Sequence, residues 1–137
     1  MISDAINPED LGPASGFSHG RLAKPGARVL FVAGQIGVTP DESPADPQAR
    51  LARQFGEALR RILRVVQEAG GYPLDVTRMT VFVTDMDLYR NSRKAIGPVW
   101  KQHMGAYYPA MSLVEVKSLV EPSALVEIEA TPAIGGR

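Results

Sequence analysis

The chain contains no cysteine, which excludes disulfide staples, thiolate nucleophiles and thiolate metal sites together and suits a reducing compartment. Its only histidines, His19 and His103, are too isolated to argue for a metal site or a catalytic triad. It also lacks any surplus of charge, with fifteen basic and fifteen acidic residues. Nucleic-acid binders usually carry a basic excess, because neutralising phosphate supplies much of their affinity, so nucleic acid is disfavoured as a partner. No apolar run approaches the ~20 residues of a membrane helix. The opening Met1-Ile2-Ser3-Asp4 has no basic stretch leading into an apolar one, so no secretory leader is expected. These absences point to a cytoplasmic protein with no membrane association.

What is present reads as one domain over residues 1–137. Residues 1–16 are rich in Pro, Gly and Ser and read as an extended lead-in. Ser18 to Leu22 is a short first strand, and Arg28 to Ile36 is a dense β-branched and aromatic run expected as a buried strand. Thr39 to Pro44 reads as loop. A long helix then opens with Asp46 as cap and Pro47 at its first position, where a missing N–H costs nothing. Leu51, Phe55, Leu59, Ile62, Val66 and Ala69 recur at three- and four-residue spacing and mark its apolar face. Its arginines fall largely elsewhere and read as a solvated face, and Gly70-Gly71 ends it.

Val76 to Thr84 is a third strand. A second helix is expected from Asp87 to about Met104, kinked at Gly97-Pro98. Met111 to Leu119 and Ala124 to Thr131 are the last two strands. The order ββαβαββ implies an α+β sandwich, with two helices on one face of a mixed sheet and the other face in need of cover. In the last strand Ala124, Val126, Ile128 and Ala130 share one face, suited to packing on the helices. Leu125, Glu127, Glu129 and Thr131 share the other, suited either to solvent or to a polar subunit interface.

Several short blocks then carry a resemblance. Gly16-Phe17-Ser18-His19, Phe31-Val32-Ala33-Gly34-Gln35-Ile36, Thr80-Val81-Phe82-Val83-Thr84-Asp85-Met86, Tyr108-Pro109-Ala110-Met111-Ser112 and Val126-Glu127-Ile128-Glu129-Ala130 follow one another. Together they resemble, in order and approximate spacing, the motifs of the RidA/YjgF family of reactive intermediate deaminases, also known as L-PSP endoribonuclease-like proteins. The resemblance implies a chorismate-mutase-like fold and a homotrimer whose sheets close a central barrel. It implies small-molecule clefts between neighbouring subunits and an enamine or imine deaminase, a hydrolase that needs no cofactor or metal.

Carried over residue by residue, the resemblance makes Glu127 the catalytic candidate, a carboxylate suited to positioning or activating water. A purely structural interface carboxylate is the alternative. It places Phe17, Ala33, Gly34, Gln35, Lys94, Met111, Ser112 and Leu113 in the ligand-binding cleft. Gly34 allows close backbone approach and offers an amide to a ligand oxygen.

The departures matter as much. Met111 stands where the family places the arginine that grips the substrate carboxylate, and a thioether cannot make that bidentate, charge-assisted pair. Phe17 stands for a common tyrosine, Leu113 and Ala33 are apolar, and Lys94 falls near a common asparagine. The cleft is therefore expected to be more apolar, with an altered substrate range. A non-catalytic small-molecule-binding or regulatory trimer is the alternative. An RNA-cleaving or translation-inhibiting activity is less consistent with zero net charge.

Overall fold

The computed structural model describes residues 2–40 and 44–135, so part of the loop expected at 39–44 lies outside the described residues. Strands β1 (Ser3–Ile6), β2 (Gly20–Ala23), β3 (Arg28–Val29) and β4 (Val32–Ile36) precede the long helix α1 (Pro47–Glu68). They are followed by β5 (Val76–Val83), α2 (Met86–Asn91), α3 (Arg93–Met104), β6 (Ala110–Glu115) and β7 (Val126–Ile134). β7 is central: it pairs antiparallel with β3, β4 and β5, while β6 lies parallel to β5 at the sheet edge. The result is an α+β fold on a mixed sheet, with β1 and β2 forming a separate two-stranded ladder.

α1 begins where its sequence signals place it. The Asp46 carboxylate accepts the Ala49 N–H at 2.9 Å, and Pro47 occupies the first turn. Leu51, Phe55, Leu59, Ile62 and Val66 are buried, and they meet Met79, Val81, Val83, Val126, Ile128 and Ala130 in one apolar core. Burying a side chain of this size contributes about 1.5–3 kcal/mol, so the alternation of β5 and β7 fixes which sheet face the helices cover. Two less obvious residues set the helix against the sheet. At Gly37 a Cβ would lie 1.9 Å from the Gln54 carbonyl oxygen, so the backbone of α1 comes as close there as only glycine permits. The buried Gln54 side chain donates to the Ser123 carbonyl at 3.1 Å and accepts the Leu125 N–H at 2.8 Å, tying α1 to the lead-in of β7.

Four expectations are corrected. The lead-in contains a strand, β1, because the Arg21 guanidinium on β2 donates to the Ser3 hydroxyl at 2.8 Å and carbonyl at 2.9 Å, a long-range tie without periodicity. The run Arg28 to Ile36 is not one buried strand. It divides after Val29 and is bulged between Val32 and Gln35, and Val29 and Phe31 are 60% and 80% exposed.

The second helical segment breaks at Ser92 rather than at Pro98. The Ser92 hydroxyl donates to the Leu88 carbonyl and its N–H to the Tyr89 carbonyl, closing α2 before α3 restarts. Pro98 continues within α3, at an exposed position where the Lys94 carbonyl it leaves without a helical donor is on an exposed residue. Finally, β6 stops at Glu115, because β5, its one ladder partner among the described strands, ends opposite it at Val83. β7 runs on to Ile134, where β3 supplies the pairing. Among the described residues no helix is long and apolar enough to cross a membrane.

Candidate functional site

The register assigns each candidate residue to a face. Ile36, Glu127, Phe82 and Val114 are successive cross-strand partners and form one row on the face that no helix covers. Glu129, Thr80 and Ser112 form the next row on that face. Glu127 is half-buried, and among the described residues its carboxylate has no hydrogen-bond or ion-pair partner. It lies directly over Gly34: a Cβ at that glycine would stand 2.6 Å from Oε2 and 2.7 Å from Cδ of Glu127. The missing side chain at Gly34 is what makes room for the carboxyl group.

Met111 and Leu113 lie on the opposite face. Their partners are Met79 and Val81, whose side chains are fully buried beneath the helices. Because β6 is the edge strand, this pair is not sealed off, and it borders a cavity of about 240 Å³ between β6 and the helices. The cavity wall is aromatic. Trp100 stacks on Tyr108 with ring centroids 5.6 Å apart and planes inclined by 6°, and its indole N–H donates to the Tyr107 carbonyl at 3.1 Å. Phe55 and Tyr89 contribute further rings, and Gly16 closes one side. Burial raises the Tyr89 hydroxyl above its ordinary pKa of 10.0, and the positive charge of Arg93 opposes that shift.

The remaining candidates disperse. Phe17 sits edge-on to His19 at 5.1 Å, beside a neighbouring cavity formed with Ser18, Ala106, Tyr107 and Tyr108. Gln35 shares a register row with Ile128, Val81 and Leu113, and its amide donates to the Ala33 carbonyl at 3.3 Å. Ala33 is exposed on the bulge. Lys94 is exposed and does not line the Met111 cavity, whereas Arg93 and Lys101 do. Arg93, Ile96, Gly97, Trp100 and Lys101 follow the three- and four-residue spacing of one helix face, and Lys94 is rotated off it by about 100°. Sequence reading missed Tyr89, Trp100 and Lys101 and left Arg93 as a solvated charge, although that spacing was available to find them.

One chain therefore carries two separate constellations, Glu127 over Gly34 on the bare face and the Met111 cavity on the helix side. The sequence pattern of the family described as Endoribonuclease L-PSP matches residues 9–134. The chain belongs to the RidA/YjgF/L-PSP family. The RidA-type match leaves β1 outside it. TdcF of Escherichia coli K12, provisionally named a reactive intermediate deaminase, is 36% identical over 106 residues, 74% of this chain and 76% of TdcF.

Among solved structures, the Rid-family protein YyfB from Yersinia pestis superposes with a TM-score of 0.77 at 31% identity, covering 98% of this chain and 100% of YyfB. Escherichia coli TdcF with bound serine gives a TM-score of 0.62 at 31% identity, covering 89% of this chain and 91% of TdcF.

Proposed function

We propose that this RidA-family protein is an enamine/imine deaminase, working as a homotrimer at clefts between subunits, with a substrate range changed by Met111. The observation that carries the reading is the unpartnered Glu127 carboxylate over Gly34, on a sheet face with no cover of its own. Exposed apolar side chains in the same part of the molecule, Phe31 and Val114 among them, support burial of that face against further copies. Because the Met111 cavity opens at the sheet edge on the other side, a neighbouring chain is needed to bring a Glu127 to it. The serine bound to TdcF supports a ligand of amino-acid size.

The chemistry assigned to Glu127 is proton handling during hydrolysis. Water adds to the carbon of the protonated imine while Glu127 takes one of its protons, giving a neutral carbinolamine. The carboxyl group returns that proton to nitrogen, the carbinol hydroxyl gives its own proton to the carboxylate as the C–N bond breaks, and a 2-oxo compound and ammonia leave. The Gly34 amide is assigned the orienting of oxygen in this sequence. Freshly generated 2-aminoacrylate and a panel of amino-acid-derived imines, followed by oxo-acid formation, test the reading. Acceleration that falls at least about a hundredfold in Glu127→Ala is expected. No acceleration with any imine, or equal rates in the variant, overturns it.

The loss of the arginine at position 111 favours a second reading, a non-catalytic binding trimer. Ligand binding without turnover in the same panel would select it.

A further inference from the structure

Four arginines on the outer surfaces of the helices are neutralised where they stand. Arg60 and Arg61 pair with Glu57, Arg64 with Glu68, and Arg90 with Asp87. Arg93 and Lys101, which line the Met111 cavity, have no carboxylate partner among the described residues. They are eight residues apart on α3, so both lie along the helix face that also presents Trp100. Two unneutralised cations thus edge a small cavity whose wall is the stacked Trp100–Tyr108 pair and whose floor is Met111 and Leu113.

We infer that Arg93, assisted by Lys101, takes over the anion-binding role that Met111 cannot perform, and that the cavity admits a carboxylate carried on an aromatic or branched apolar body. The guanidinium supplies a planar, two-pronged donor for a planar carboxylate. Met111 then becomes a contact for the apolar body instead of its charged end, since a flexible thioether packs well against rings. This division explains why the position can be methionine without leaving the cavity indifferent to charge. In the single chain the cavity measures about 240 Å³, room for one ring and a short acid chain. The inference rests on the preceding functional reading only in taking this cavity as the substrate's half of the cleft.

Equilibrium binding tests it without requiring turnover. Calorimetry on the intact protein compares phenylpyruvate with phenylacetone, which lacks the carboxylate, with pyruvate, which lacks the ring, and with inorganic phosphate. Phenylpyruvate is expected to bind most tightly, with Arg93→Gln weakening it about ten- to a hundredfold. The same variant should leave phenylacetone unchanged, and Lys94→Gln should behave as wild type. Arg93→Lys, which keeps the charge and loses the planar fork, should fall between wild type and Arg93→Gln.

Equal binding of phenylpyruvate and phenylacetone, phosphate as the tightest ligand, no phenylpyruvate binding by wild type, or indifference to Arg93→Gln in a folded protein would each overturn the inference. The two readings fail separately. Binding in the expected pattern without hydrolysis of any imine removes the deaminase and keeps this site, while hydrolysis indifferent to Arg93 does the reverse.

Discussion

On the helix-covered face of the sheet Val81 and Ile128 lose all contact with solvent, while the adjoining Phe82 and Glu127 on the other face keep part of theirs. These neighbours share strands and differ only in the direction of one Cα–Cβ bond. The covered face is closed-packed and apolar, and its residues explain why the chain folds. The bare face mixes Ile36, Phe82 and Val114 with Glu127 and Glu129, a composition that a core would not tolerate and that solvent alone does not require. Chemistry is therefore sought where packing stops accounting for the side chains.

Two glycines break this comparison most sharply. Gly37→Ala forces a methyl group against the backbone of α1, with no flexible atom to yield, and is expected to cost about 3 kcal/mol or more, read as a fall in the denaturant midpoint. At Gly34 the same change meets the movable end of Glu127. Stability should then hold to within about 1 kcal/mol, while hydrolysis falls as strongly as in Glu127→Ala, because the carboxyl group is displaced. Severe unfolding of Gly34→Ala, or full activity in it, would blur the distinction between the faces.

Truncations sharpen it next. Ile128→Ala empties a fully buried position and should cost about 2–5 kcal/mol in denaturant unfolding. Val114→Ser, 42% exposed in the single chain, should change the folding of that chain by less than about 0.5 kcal/mol and instead shift the assembled mass toward single chains. The reverse pattern would place the core on the wrong side of the sheet.

A smaller effect appears in alkali. Burial raises the hydroxyls of Tyr89 and Tyr107 above the ordinary 10.0, with Arg93 and Arg21 respectively opposing. The folded state thus holds both protons more tightly than the unfolded chain does. Their contribution to stability is complete below pH ~10 and is lost as the pH rises through the folded values. Replacing Tyr89 with Phe should remove part of that alkaline slope in thermal unfolding, on the covered side alone.

The covered face was the legible one. Spacing in α1, the Asp46-Pro47 start and the alternation of Val126, Ile128 and Ala130 all follow from burial on one side, which leaves a periodic trace in sequence. β1 left none, since it is held by Arg21 across a gap of eighteen residues. The bulge at Val32/Gln35 was equally silent, and so was the helix break at Ser92, where a hydroxyl outcompeted the more conspicuous proline at 98.

Motif likeness placed Glu127 and Met111 in one cleft; a single chain sets them on opposite faces, because odd and even positions of paired strands diverge. The choice between Arg93 and Lys94 likewise depended on helical phase, which a one-residue uncertainty in alignment destroys.

Under the proposed function, Glu127 of one chain works with the Met111 cavity of another. Mixing subunits tests it directly: Glu127→Ala and Arg93→Glu, each inactive alone, are unfolded together, reassembled and assayed against the best imine. If the site is shared between chains, about a third of the clefts in mixed trimers, or roughly a quarter of all clefts after random mixing in equal amounts, carry both native halves, and activity returns in that proportion. Reassembly into mixed trimers with no recovery would contradict the account, because it would mean that both halves must come from the same chain.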